Sequence, residues 1–254
     1  MDINLLHGDC LELMQGIPDG SIDMILCDLP YGTTACKWDT IIPFEPLWEQ
    51  YRRVIKDNGA VVLFGAEPFS SMLRMSNISW FKYDWVWEKT KPSGHLNAKK
   101  QPMRATEYVS IFYRKQCVYN PQGLIKGRYN NNRPSRGKKE KGKYVHGLER
   151  EIGISEYTGY PKNILKFSNP NNKNVHPTQK PVALLEYLIK TYTNEGEVVL
   201  DNCMGSGSTG VACINTNRNF IGIELDDEYF EIAKKRIERH MRQISMFDLA
   251  KESK

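Results

Sequence analysis

The stretch VVLDNCMGSGSTG, Val198 to Gly210, constrains the chain more than any other. A short apolar run ends in an acid. Glycines 205, 207 and 210 then follow in G-x-G-x-x-G spacing, and a helix opens at Val211–Asn215. Glycines in such a turn let the backbone approach a ligand, and the free N–H groups of the helix face it. A strand, a glycine loop and a helix in this order form the nucleotide-binding turn of an α/β sheet.

The rest of the chain carries the same alternation. Strands are expected at Ile3–His7, Ile22–Cys27, Ala60–Phe64, Lys82–Trp87, Tyr108–Tyr113, Glu197–Leu200 and Phe220–Glu224. Helices are expected at Leu11–Met14, Phe44–Ile55, Pro68–Met75, Pro181–Tyr192 and Tyr229–His240, the second carrying an apolar stripe and stopped by Asn58-Gly59. Alternating strands and helices predict a mostly parallel α/β sheet. Between Lys115 and Asn174 the periodicity fails, so this block reads as an insertion between residues 1–114 and 175–254.

Composition excludes several classes. The six cysteines are scattered without a CxxC pair, which indicates neither a zinc site nor a disulfide framework, and no metal is expected. No apolar run approaches the roughly 20 residues of a membrane span. The first residues show no signal-peptide pattern, and a cytoplasmic enzyme is expected. The net charge of +5 is mild, but its placement is uneven. Eleven Lys and Arg lie between Arg114 and Arg150, against two acids, Glu140 and Glu149. Such a block suits phosphate and base-edge contacts, or is a solvated loop.

The loop narrows the ligand. It lacks Gly-Lys-Ser/Thr, which disfavours an ATP-type P-loop. Asp201, just before the glycines, is awkward beside a pyrophosphate and welcome beside a cation. Glu224 ends the next strand, where a ribose diol is gripped. S-adenosylmethionine offers a sulfonium, an ammonium and a ribose, so methyl transfer is favoured over hydride transfer. A second acid, Asp28, ends the strand Ile22–Cys27 and is followed by Leu29, Pro30 and Tyr31.

Asp28-Leu29-Pro30-Tyr31, the basic middle, His176-Pro177-Thr178-Gln179-Lys180-Pro181 and Asp201 to Thr209 together resemble the amino-group DNA methyltransferases, which modify adenine N6 or cytosine N4. The motif order resembles their β class. The resemblance implies a seven-stranded, mostly parallel, Rossmann-like methyltransferase sheet. This sheet is circularly permuted, with residues 1–114 as the target-base half, 115–174 as an inserted target-recognition region and 175–254 as the cofactor half. It implies S-adenosylmethionine as cofactor and DNA as substrate, and is compatible with a homodimer and a cognate restriction nuclease.

Residue by residue, the resemblance gives Asp28, Leu29, Pro30 and Tyr31 to the target amine and base. It gives Asp9, Cys10, Thr178, Lys180, Asp201, Met204, Gly205, Ser206, Gly207, Glu224 and Leu225 to the cofactor, with Thr178 and Lys180 reaching its carboxylate. It gives Arg128, Arg133, Arg136, Lys138 and Lys139 to DNA. Trp38 and Asp39 either close the base pocket or belong to an ordinary loop. Asp9 alternatively makes an Asx turn. Leu29 stands where the family usually has Pro, and Asn202-Cys203 where it has Pro-Phe, which changes packing beside the cofactor.

A flipped base presents an amine whose lone pair is delocalised into the ring. Asp28 and the Leu29 carbonyl can accept its two hydrogens and stabilise the charge that grows in the transition state. Asp at the first position favours adenine over cytosine. An NAD-dependent oxidoreductase, a non-catalytic nucleic-acid binder and an RNA substrate are the competing readings. No Pro-Cys dipeptide is present for C5-cytosine chemistry.

Overall fold

The computed structural model describes residues 1–32, 39–132, 152–169 and 179–252. The chain divides into two compact units, Met1–Asn120 with Asn163–Lys254, and Pro121–Lys162. In chain order the first unit contains β1 (Ile3–His7), α1 (Cys10–Leu13), β2 (Ile22–Cys27), α2 (Phe44–Val54), β3 (Ile55–Gly65), α3 (Phe69–Ser76), β4 (Phe81–Ser93) and β5 (Arg104–Phe112). The second unit holds β6 (Ile125–Asn132) and β7 (Ile152–Thr158), an antiparallel pair. The first unit resumes with β8 (Ile164–Phe167), α4 (Val182–Tyr192), β9 (Val198–Asp201), α5 (Ser208–Asn215), β10 (Asn219–Glu224) and α6 (Asp227–Glu252).

The first unit is built on one eight-stranded sheet in the order β1-β10-β9-β2-β3-β5-β4-β8. Its pairings are parallel except where β5 joins β3 and β4, so β5 alone runs against the others. The sheet is the α/β, mostly parallel one expected, with one strand more than the seven anticipated. That strand, β8, pairs with β4 and lies inside the span that composition assigned to the insertion. The compact second unit is correspondingly narrower than 115–174.

Both faces of the sheet are buried, which explains the continuous apolar runs. Met24, Leu26, Val62 and Phe64 point into a core with Leu184, Leu188, Val211 and Ile237 of α4, α5 and α6. Ile25, Cys27, Val61 and Leu63 point the other way, onto Leu47, Trp48, Tyr51, Phe69 and Leu73 of α2 and α3. This period-two division is strand geometry acting on two apolar layers.

Several boundaries move. α2 stops at Val54, where Ile55 turns extended, and Asn58-Gly59 lies inside β3 rather than ending the helix. The pairing of β2 with β3 shifts register there, so β3 begins earlier than its apolar run. β4 is much longer than its apolar centre. β6 and β7 were not legible because Asn, Lys and Gly interrupt their pattern, and β8, Ile164–Phe167, is only four residues long.

Gly210 shows how closely the glycine loop is packed. A Cβ there would stand 2.5 Å from Ile237 Cδ1 and 3.0 Å from Phe220 Cε1. Gly210→Ala is expected to lower stability by about 1–3 kcal/mol, as overpacked cores do. Thermal unfolding checks it.

Candidate active site

β9 and β2 are neighbours, with Met24 level with Val199 and Ile25 with Leu200. From β9 the strands β10 and β1 continue one way, and from β2 the sheet continues the other. This is a topological switch point, where α/β sheets open a crevice beyond the carboxyl ends of their strands. A cavity of about 1490 Å³ lies there. Asp9, Cys10, Asp28, Leu29, Pro30, Tyr31, Lys180, Asp201, Met204, Gly205, Ser206, Glu224 and Leu225 all line it. Gly207 does not: it caps α5 and its Cα faces Ala233 and Ile237 of α6. Thr178, Trp38, Arg133, Arg136, Lys138 and Lys139 lie outside the described residues. Arg128 is on β6, and its side chain lies outside them too.

On the β9 side, buried Asp201 accepts from Cys203 N at 3.1 Å and Thr209 Oγ1 at 2.6 Å. Burial raises its pKa to about 7, against the opposing pull of the Thr209 hydroxyl and the Cys203 amide. Glu224 accepts from Gly205 N at 2.8 Å and Asp226 N at 2.9 Å, and burial raises its pKa as well. Gly205 has φ +50°, and a Cβ there would meet nothing within 4 Å, so its backbone borders open space. Arg236 of α6 ties the loop down through Ser206 O and Ser208 Oγ, each at 3.0 Å. Asn202 and Cys203 sit in a compensated polar patch. Tyr51 Oη donates to Asn202 Oδ1 at 2.6 Å, and Asn202 Nδ2 reaches Cys10 Sγ at 3.6 Å.

Asp9 caps α1, accepting from Leu11 N at 2.7 Å and Glu12 N at 3.3 Å. The Asx turn weighed from sequence is therefore real, and the carboxylate also borders the cavity.

On the β2 side, Asp28 is doubly held. Tyr31 Oη donates to Oδ1 at 2.5 Å, and Lys180 Nζ donates to Oδ2 at 2.5 Å. The Tyr31 ring stacks on Phe69 at 4.9 Å between centroids. Asp39 Oδ1 accepts from Tyr31 N and Gly32 N at 2.8 and 2.9 Å, so this acid shapes the turn after Asp28. Lys180 is buried beneath the site. Burial alone lowers its pKa, but Asp28 and Glu107, 3.4 Å from Nζ, outweigh that and raise it. Glu107 is in turn paired with Lys89 at 3.0 Å. Burial pushes its carboxyl up, and the two lysines pull it below its ordinary value. The result is an alternating chain of charges, Asp28–Lys180–Glu107–Lys89.

Sequence motifs did not disclose Glu107 and Lys89. The one signal was an acid, Glu107, opening the otherwise apolar run of β5. Lys180, expected on the cofactor's carboxylate, has its ammonium on Asp28. Among the described residues no group of three or more His, Cys, Asp and Glu is arranged to hold a metal ion. No helix among them is long and apolar enough to cross a membrane.

A family model described as DNA methylase, of the N6/N4 methyltransferases, matches residues 22–235. The chain belongs to this DNA methylase family. It is 27% identical over 270 residues to the Type II methyltransferase M.HpaI of Haemophilus parainfluenzae, covering 98% of this chain and 78% of that one. It is 28% identical over 265 residues to M2.DpnII of Streptococcus pneumoniae, covering 92% and 89%. Among solved structures, the M1.HpyAVI–SAM complex superposes with a TM-score of 0.62 at 28% identity, over 92% of this chain and 99% of that one. The cytosine-N4-specific PvuII DNA methyltransferase shares the fold, with a TM-score of 0.65 at 16% identity, over 96% and 93%.

In this DNA methylase the raised Asp201 pKa makes the site costly to the fold. A carboxyl whose pKa is raised by folding stabilises the fold fully below its unfolded pKa, about 3.9. That contribution is lost as pH rises through about 7. Asp201→Asn, whose amide can donate to Thr209 and accept from Cys203, is expected to raise the melting temperature more at pH 8 than at pH 5. Paired thermal scans at the two pH values check it.

Proposed function

We propose that this DNA methylase transfers the methyl group of S-adenosylmethionine to the exocyclic N6 of a flipped adenine, with the motif order of the β class. The observation that carries the reading is Asp28: a carboxylate held by Tyr31 and Lys180 at the carboxyl end of β2, in the same cavity as the glycine loop of β9.

The residues present suit the cofactor. Gly205 leaves its backbone open to a ligand, and Asp201 and Glu224 supply negative charge and acceptors for an ammonium and a ribose. Asp9, Cys10, Met204, Ser206 and Leu225 complete that side, and Thr178 belongs to it on sequence grounds. When bound there, S-adenosylmethionine supplies the electrophilic methyl.

The chain does the rest by placement. Each Asp28 oxygen keeps a lone pair beyond the bond it already makes, so the carboxylate can still accept from an amine. The Leu29 carbonyl is the second acceptor, and Pro30 restricts the turn that carries it. Lys180 holds Asp28 in place, Glu107 faces Lys180, and Lys89 faces Glu107. Positive charge developing on the amine therefore meets an anion already held in place, which is electrostatic preorganisation. The proton finally lost from the methylated amine passes to Asp28 and on to solvent. Tyr31 borders the base, with its far face backed by Phe69. Arg128, Arg133, Arg136, Lys138 and Lys139 are assigned to DNA on their charge.

The test uses methyl-labelled S-adenosylmethionine, unmethylated genomic DNA and identification of the labelled nucleoside. Label in N6-methyladenine supports the reading; label in N4-methylcytosine replaces the base; label in neither, with cofactor bound, contradicts it. Asp28→Ala is expected to lower kcat by about 10²–10³ or more, the scale of a lost electrostatic partner, with cofactor affinity within a few-fold of wild type. Lys180→Met is expected to lower both kcat and the melting temperature, because Asp28 loses its countercharge and Glu107 keeps only Lys89. Single-turnover kinetics, cofactor titration and thermal unfolding separate these effects.

A further inference from the structure

A ribbon of β4 and β5, flanked by β8 as far as Lys89, extends past the end of β3 beside the cavity. β3 ends at Gly65, which pairs with Tyr108, and Tyr108 pairs with Val86. β4 continues to Ser93, which pairs with Arg104 at the start of β5. β5 runs four residues past that level, roughly 13 Å at about 3.3 Å per residue, while β4 bulges between Glu88 and Ser93. β4 runs parallel to β2 and β9 across the sheet, so the overhang stands on the same edge as Asp28 and Asp201. Lys91, Ser93, Arg104 and Thr106 line the cavity. A turn at Gly94–Asn97, with Gly94 at φ +95°, starts the tip.

The ribbon's charge is one-sided. From Lys89 to Thr106 there are five Lys and Arg, His95, and no acid. Lys89 is engaged by Glu107. Lys91, Lys99, Lys100 and Arg104 are exposed, and none has an ion-pair partner among the described residues. The turn also presents Leu96 at 101% exposure. These features add nothing to folding. An unburied leucine forgoes its transfer energy, and unpaired lysines in water give no attraction. Beside a nucleic acid both become favourable: each phosphate neutralised releases counterions, and an apolar tip suits a groove contact.

We propose that the hairpin between Ser93 and Arg104 is a DNA-docking element distinct from the Arg114–Arg150 block, with Lys99 and Lys100 on backbone phosphates beside the target base. The inference rests on the methyltransferase reading above and goes beyond it in naming the surface. It follows from position as well as charge, since Lys91, Ser93 and Arg104 of the same ribbon line the cavity that Asp28 lines.

The experiment compares the full-length wild type with Lys99→Ala/Lys100→Ala. Affinity for double-stranded DNA is measured across a salt series, and methyl transfer to unmethylated genomic DNA is followed in parallel. For two phosphate contacts, the slope of log affinity against log salt is expected to shrink by about 1.8. KM for DNA is expected to rise on the order of tenfold, while kcat, cofactor affinity and melting temperature stay at wild-type values. An unchanged slope with an unchanged KM overturns the proposal, and so does a loss confined to kcat. Wild-type labelling reads the function and the slope reads the hairpin. A wild type that fails to label DNA therefore sinks the functional reading alone, and a flat comparison of slopes sinks the hairpin alone.

Discussion

Met24 and Ile25 of β2 lie level with Val199 and Leu200 of β9, and the two strands run the same way. Asp23 helps to hold that register: its Oδ2 accepts from Val198 N at 2.9 Å while Oδ1 pairs with Lys56 at 2.6 Å. Because the sheet reverses its order between these strands, their carboxyl ends open into one crevice. Asp28 and Asp201, separated by most of the chain, thus border the same cavity. A one-residue slip would turn every side chain of β2 to the opposite face and break the Asp23–Val198 bond. Register, core packing and the position of both acids are therefore one constraint.

Around Asp28 the fold spends stability on geometry. Lys180 and Glu107 are withdrawn from water, and each is tolerable only because the next charge in the chain faces it. The same holds on the cofactor side, where Asp201 is buried against its preference for ionisation. In the proposed mechanism these costs have one purpose: an anion that does not move when an amine beside it becomes cationic. Asn202 and Cys203, which depart from the family's usual residues, are accommodated by hydrogen bonds of Asn202 to Tyr51, Cys10 and Cys203.

The sequence made the sheet legible wherever burial on both faces forced continuous apolar runs, as in β2, the middle of β3, β9 and β10. It failed where strands are short or their apolar pattern is broken. β8 joins the main sheet with only Leu165 buried, and β6 and β7 pair outside the main sheet. The overhanging part of β4, with Lys89, Thr90 and Lys91, was invisible for the same reason. Motifs singled out residues at strand ends, and these line one cavity, because loop chemistry there has fixed spacing. They did not reveal Glu107, which faces Lys180, or Lys89, which meets Glu107 through the pairing of β4 with β5. Nor did they distinguish the glycines from one another. Gly205 faces open space, whereas Gly207 and Gly210 face α6.

The most direct test of the account is a crystal structure of the protein with S-adenosylmethionine bound. The account predicts the adenosine against Glu224, the methionine end beside Asp201, and the methyl carbon directed at the space bounded by Asp28, the Leu29 carbonyl and Tyr31. A cofactor whose methyl points away from Asp28, or one seated off the switch point between β9 and β2, would contradict it.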